Sequence, residues 1–184
     1  MKSTSAYLFF WGKEDVFSNW HPSRFTYHGI EFLHVEQFMM YSKAMLFGDR
    51  VTASRILQEP SPKRCKDLGR EVQGFVDAVW NEKREGIVEV GCREKFLQNT
   101  NMLAVLLGTE GKVLVEASPY DRIWGIGLSE NDPRAMTTNT WRGLNLLGLI
   151  LTNIRDQLIS GYQSGSLPDR AVMAINQTGF FMSG

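Results

Sequence analysis

The run Val35-Glu36-Gln37-Phe38-Met39-Met40-Tyr41-Ser42-Lys43-Ala44-Met45-Leu46-Phe47 sets a carboxylate and an ammonium into a segment that is otherwise apolar on nearly every helical face. A helix of that composition is expected to be largely buried. Glu36 and Lys43 are seven residues apart. On a helix that spacing puts them on one face with Cα atoms roughly 10 Å apart. This is too far for an i,i+4 ion pair and right for lining one cleft. A carboxylate partly withdrawn from water holds its proton more tightly unless it is paired, which suits a general acid or base. The same negative charge in a first turn also complements the helix dipole, so a purely structural role stays open.

A second candidate is Asp121-Arg122-Ile123-Trp124-Gly125-Ile126-Gly127. Gly125 and Gly127 let backbone N–H groups approach a ligand closely, while the Trp124 indole offers a stacking face. The third glycine of a dinucleotide fingerprint is missing and no helix is expected to follow, so a tight turn packed under a core Trp competes with that reading. A third candidate is the segment after Ser61, where Lys63, Lys66 and Arg70 share a helix face with Arg64 nearby. Such donors suit phosphate oxygens, although a solvated helix face explains them as well. In Trp141-Arg142-Gly143-Leu144-Asn145-Leu146-Leu147-Gly148, two glycines and an Asn interrupt an apolar segment. Asn145 there needs a partner, either core backbone or ligand. Cys65 follows a basic pair that would lower its pKa, but no partner base is identifiable. His21, His28 and His34 lack metal-ligand spacing and read as structural or loop histidines. Gly-x-Ser-x-Gly, Walker A and His-Glu-x-x-His are absent from the sequence.

The elements that must hold these groups are legible from periodicity. Tyr7 to Trp11 reads as a short buried strand closed by Gly12. Arg24 to His28 and Ile30 to Phe32 make a small hairpin through Gly29. Between them lies Phe17-Ser18-Asn19-Trp20-His21-Pro22, a loop rich in aromatic and polar side chains. Helices are expected over Val35 to Phe47, from an Asp49 cap to about Leu57, and from Ser61-Pro62 to about Gly69. Further helices are expected over Trp80 to Gln98 (weakened at Gly86 and Gly91), Met102 to Leu107 behind an Asn101 cap, and Trp141 to Ile159. Lys112 to Glu116 reads as a strand, and Pro119 to Thr138 as a long loop of the kind that is usually functional. The sum is an α+β single domain, predominantly helical with a small β-sheet and hairpin, without the alternating rhythm of a Rossmann fold.

Composition bounds the function. The 184 residues carry 20 Lys plus Arg against 20 Asp plus Glu, a formal charge of zero. That balance excludes a polybasic arm or a generally basic nucleic-acid domain, while leaving room for a local basic patch. Two cysteines without Cys-x-x-Cys spacing argue against disulfides and structural zinc and for a reducing compartment. The first apolar run is too short for a signal peptide or a membrane span. Cytoplasm is the expected location, or nucleus in a eukaryotic host.

Several segments in order resemble the NADAR/YbiA-like family. They are Phe9-Phe10-Trp11, Val16-Phe17-Ser18-Asn19-Trp20, Val35 to Ala44, Lys66-Asp67-Leu68-Gly69-Arg70 and Lys95-Phe96-Leu97-Gln98-Asn99. Leu114 to Ser118, Asp121 to Gly127, and Trp141-x-Gly143-x-Asn145-x-Leu147-Gly148 follow. The match spans roughly residues 7 to 158, so the expected division is a domain over 1–158 and a C-terminal extension over 159–184 of uncertain order.

The resemblance implies a hydrolase that cleaves N-glycosidic bonds to ribose, with no cofactor and no metal. Two substrate classes come with it. One is ADP-ribose attached to guanine bases of nucleic acid, removed in reversal of ADP-ribosylation, towards which the long loop tips the reading. The other is phosphoribosylated pyrimidine intermediates of riboflavin synthesis, removed as damage control. A module that binds ADP-ribose without cleaving it is the rival from another class. Carried over residue by residue, the resemblance makes Glu36 and Asp121 the catalytic candidates. Trp11, Asn19, Trp20, Lys43, Arg70, Trp80, Trp124, Gly125, Gly127 and Asn145 become candidates for substrate binding. The expected partners are an ADP-ribose or phosphoribosyl-type substrate and, in the first case, ADP-ribosylated DNA. No membrane and no obligate protein partner is implied.

Overall fold

The computed structural model describes residues 1–182. In chain order its elements are β1 (Lys2–Ser3), β2 (Tyr7–Phe10), β3 (Phe25–Tyr27), β4 (Ile30–Phe32), α1 (Val35–Leu46), α2 (Arg50–Leu57), α3 (Pro62–Arg70) and α4 (Asp77–Leu97). Then follow α5 (Thr100–Leu107), β5 (Val113–Glu116), two short 3-10 turns, α6 (Leu146–Ser164) and α7 (Asp169–Thr178), with a last 3-10 turn at Phe180–Met182. The architecture is α+β and predominantly helical, with small sheets, as the periodicity implies. The chain forms two compact units, one from Met1–Ser18 together with the chain from Thr100 onward, the other from Asn19–Asn99.

The unit over Asn19–Asn99 is built around α1. Its hairpin pairs Phe25 with Phe32 across a two-residue turn, in which His28 (φ 49°) and Gly29 (φ 77°) both take positive φ. That is the turn type whose twist matches paired strands. Asp49 accepts the Thr52 N–H to cap α2, and Ser61 accepts the Arg64 N–H to cap α3 with Pro62 in its first turn. α1 packs against α2, α3 and α4, and glycines allow the approach. A Cβ on Gly69 would lie 2.0 Å from Met40 Sδ, and one on Gly91 2.7 Å from Phe38 Cδ1. Gly91 is therefore where α1 seats on α4, rather than a weak point of that helix. Phe38 meets the rings of Phe25 and Phe32 at 5.8 and 5.0 Å. The burial of α1 follows its composition: Val35 through Met40 and Ala44 are all buried.

In the other unit, β1, β2 and β5 form one sheet with β2 central, antiparallel to β1 and parallel to β5. Phe9, Val115, Ala117, Ile126, Leu128 and Ala135 pack as its core, with Tyr7 and Trp141 against them. Three boundaries differ from the sequence reading. α4 begins at Asp77, not Trp80, and α5 at Thr100. α6 begins at Leu146 and not at Trp141. Residues 142–145 instead pair with the loop before them, Arg142, Leu144 and Asn145 donating N–H groups to the carbonyls of Ile126, Arg122 and Gly125. The pairing needs Gly143, where a Cβ would fall 2.3 Å from the Gly125 carbonyl oxygen. That close approach is why an apolar, helix-like pattern does not start the helix there.

The 158/159 division falls inside α6, which continues to Ser164. α7 follows, burying Ala171, Ala174 and Ile175 and packing on α5. Ser183 and Gly184 of the expected extension lie outside the described residues. Among the described residues no helix is long and apolar enough to cross a membrane.

Candidate active site

The start of α1 is fixed by side chains. His34 caps it, Nδ1 accepting the Gln37 N–H at 3.0 Å. That bond leaves the ring proton on Nε2, which faces the Pro60 carbonyl at 3.2 Å. Burial pushes the His34 pKa below the usual histidine range, and the nearby charge of Lys95 adds to the effect, while the Pro60 contact opposes it. Gln37 is 1% exposed. Its amide reaches the carbonyls of Ile56, Leu57 and Glu59 and accepts the Leu33 N–H. It thereby holds the last carbonyls of α2 from a neighbouring helix, satisfying acceptors that a helix end leaves open.

Between these two anchors lies Glu36, only 3% exposed. Trp20 Nε1–H donates to its Oε2 at 3.1 Å, and its backbone N–H donates to the Asn19 carbonyl at 3.0 Å. The Asn19 side chain is buried as well, its Oδ1 3.7 Å from the Cys92 thiol of α4. Asn19, Trp20 and Glu36, singled out separately in the sequence, thus meet. Two turns along α1, Lys43 donates to the Gly69 carbonyl at 2.7 Å. Its Nζ lies 4.2 Å from the Phe75 ring centroid and 5.6 Å from that of Trp80. Burial draws its pKa below the usual lysine range; Asp77 opposes this and Arg70 adds to it. Lys43, Trp80 and Arg70 are therefore also neighbours.

The rest of the basic face on α3 is paired. Lys63 and Arg70, both exposed, reach Asp67, and the exposed Arg64 reaches the half-buried Glu59. The expectation of a lowered Cys65 pKa is reversed: burial pushes the thiol up to about 12, and the charges of Glu59 and Glu36 add to it. The basic pair before it in sequence points elsewhere.

In the other unit the candidates mostly serve the main chain. Asp121 Oδ1 accepts the N–H groups of Ile123 and Trp124 at 2.9 and 2.8 Å, folding the turn that presents the half-buried Trp124. Gly125 is buried where a Cβ would lie 2.8 Å from the Glu116 carbonyl oxygen, and Gly127 takes φ +67°. Asn145 is fully buried, its Oδ1 accepting the Glu116 N–H at 2.9 Å and its Nδ2 donating to the Leu114 carbonyl at 3.0 Å. Of the two partners open to it, core backbone is the one it has. Trp11 is 53% exposed, with its ring 6.2 Å from that of Tyr120.

Lys95, which the Lys95–Asn99 motif includes without a role, is only 1% exposed. Burial draws its pKa down to about 8, with Cys92 opposing. Its signal is positional: it falls on the stripe of Val88, Gly91 and Cys92, seven, four and three residues from them. Among the described residues no group of three or more His, Cys, Asp or Glu is placed to hold a metal ion.

Known proteins resemble this chain in sequence and fold. The chain matches the NADAR domain over residues 9–159. It is similar to N-glycosidase R617 of Acanthamoeba polyphaga mimivirus, 38% identical over 165 residues, covering 84% of this chain and 97% of that one. It is also similar to Protein irg-1 of Caenorhabditis elegans, 37% identical over 171 residues, 84% of this chain and 81% of the relative. The NMR structure of YbiA from Escherichia coli shares the fold, with a TM-score of 0.72 at 24% identity over 88% of this chain and 90% of YbiA. By the match of residues 9–159, most of its length, the chain belongs to the NADAR family.

Proposed function

We propose that this protein is a hydrolase of N-glycosyl bonds that removes ADP-ribose from guanine bases of nucleic acid, with Glu36 as its essential carboxylate. The observation that carries the reading is the setting of Glu36. It is 3% exposed and oriented by the Trp20 indole N–H on a helix anchored at both sides of it. A fixed, desolvated carboxylate stabilises developing positive charge far better than one in water.

Hydrolysis of an N-riboside develops that charge. As the C1–N bond breaks, its electron pair goes to the guanine nitrogen and the ribose becomes oxocarbenium-like. Glu36 stabilises the cation and takes a proton from the attacking water, whose oxygen bonds to C1. The departing guanine takes up a proton, so one water is consumed overall. An O-glycosidase uses two carboxylates because an alkoxide is a poor leaving group. A base that accepts a proton on its ring leaves with one. Lys43, beside Arg70 and under the rings of Phe75 and Trp80, supplies positive charge and a stacking face for the phosphate-linked part of the substrate. Within its own unit, Asp121 positions the Trp124 turn by accepting the N–H groups of Ile123 and Trp124.

The test is a product assay run on two substrates side by side with the parent and Glu36→Gln. The expected result is release of ADP-ribose from modified guanine DNA by the parent, with the variant slower by about 10³-fold. Release of ribose 5-phosphate from a phosphoribosylated pyrimidine, with the DNA untouched, replaces the substrate by the riboflavin-intermediate class. Equal rates for parent and variant remove Glu36 from the chemistry, and binding without cleavage of either substrate leaves an ADP-ribose-binding module.

A further inference from the structure

Along α4 one stripe faces α1. Positions 80, 84, 88, 91, 92 and 95 recur at helical spacing. Val88, Cys92 and Lys95 on it are buried, Gly91 seats against Val35 and Phe38, and Trp80 neighbours the Lys43 ammonium. Arg84 occupies the position one turn from Trp80 and two turns from Gly91. It therefore lies on the α1-facing stripe between the levels of Phe38 and Lys43. Helical side chains lean towards the N-terminus, which tilts Arg84 towards the Trp80 turn.

The other cations of α4 are engaged. Lys83 pairs with Glu82 at 2.6 Å and Arg93 with Glu89 at 3.1 Å. Arg84 is different: its Nε is buried and donates to no acceptor among the described residues. A guanidinium presents its N–H groups as a planar fork, and a buried edge of that fork without an acceptor is costly unless something supplies one. Phosphoryl oxygens fit it in number and geometry, and two parallel N–H···O bonds to one phosphate are the strongest form of this contact.

We propose that Arg84 is a further substrate-binding residue, its guanidinium taking phosphoryl oxygens of the substrate one helical turn from Trp80. The assignment rests on the phosphate-linked riboside reading given above. It goes beyond that reading by naming the group that grips the anion. A pyrophosphate in ADP-ribose and a single phosphate in a phosphoribosyl compound present the same chemistry to it.

Thermal unfolding with and without inorganic pyrophosphate tests this without needing turnover. Pyrophosphate raises the Tm of the parent, and Arg84→Met cuts that shift by about half or more. Arg64→Met, on the exposed outer side of α3, leaves the shift as it was. On the riboside that the parent cleaves, Arg84→Met raises KM roughly tenfold while kcat stays within about threefold. No shift in the parent, an equal shift in Arg84→Met, or an equal loss in both variants overturns the assignment. A parent that binds pyrophosphate through Arg84 yet cleaves neither riboside overturns the proposed activity and leaves Arg84 in place. A parent that cleaves modified DNA with the same KM as Arg84→Met removes Arg84 alone.

Discussion

Two regions of this molecule place polar side chains in apolar surroundings and use them in opposite ways. In α1 the backbone is regular and the polar side chains face outwards from it towards other groups: Glu36 to the Trp20 indole, Lys43 to the Gly69 carbonyl and two aromatic rings. In the stretch from Asp121 to Asn145 the backbone is irregular, and the polar side chains are spent on it. Asp121 satisfies two N–H groups of its own turn, and Asn145 bridges an N–H and a carbonyl of β5. A regular helix meets its own hydrogen-bonding needs and frees its side chains for chemistry. An irregular loop has to borrow them. A polar residue in a dense motif is therefore a better pointer to chemistry on a helix than in a loop.

The contrast can be broken most sharply at Glu36. Glu36→Gln keeps an acceptor for Trp20, so Tm should hold while kcat falls by about 10³-fold, roughly 4 kcal/mol of transition-state stabilisation. A variant that loses stability in step with activity would move Glu36 into the structural class. Asn145→Ala is the mirror case. It strands the Glu116 N–H and the Leu114 carbonyl and puts alanine at φ 54°. Urea unfolding should show a loss of about 3 kcal/mol, while kcat of the molecules that remain folded stays close to the parent's. At Asp121 the carboxylate charge is the question, and Asn supplies the same Oδ1 acceptor. Asp121→Asn should keep kcat within about threefold, the range left to a positioning residue. A fall as deep as that of Glu36→Gln would make Asp121 an acid or base after all.

The smallest effect is a pH dependence at the start of α1. The His34 pKa is lowered in the folded state, so folding favours the neutral ring. The resulting stability is complete above the unfolded histidine pKa of about 6.5 and declines as pH falls below it towards the lowered folded value. His34→Asn keeps a capping acceptor that does not titrate. The urea midpoint of the parent should drop between pH 7 and 5 more than that of the variant, and equal slopes would show that His34 is not the titrating cap.

Sequence alone carried the α1 region well, because charge within an apolar helical run survives as a signal wherever the helix packs. Hairpin, caps and most helices were legible for the same local reason: Gly29, Asp49 and Ser61-Pro62 act within a few residues of themselves. The start of α6 was not legible. Its apolar pattern reaches back to Trp141, and only the contact of Gly143 with the distant Gly125 carbonyl decides that the helix waits until Leu146. Cys65 misled for a related reason, since neighbours in sequence are not the neighbours that set a pKa. Lys95 and Arg84 are cations on the apolar stripe of α4, but that the stripe is covered depends on α1 packing against Gly91, a contact distant in sequence.

Consecutive positions of α1 hold the proposed catalytic carboxylate and an anchor of the fold. Glu36 is the group assigned to the reaction above, while Gln37, rotated by one residue, donates to the carbonyls of Ile56 and Leu57 at the end of α2 and of Glu59 just beyond it. On that assignment the two neighbours matter for unrelated reasons: a lesion at the first should leave an abundant, inert protein, whereas a lesion at the second should lower the amount of folded protein with its activity per molecule intact. Loss of phenotype at either looks the same from outside, and only abundance measured beside activity tells a broken enzyme from a missing one.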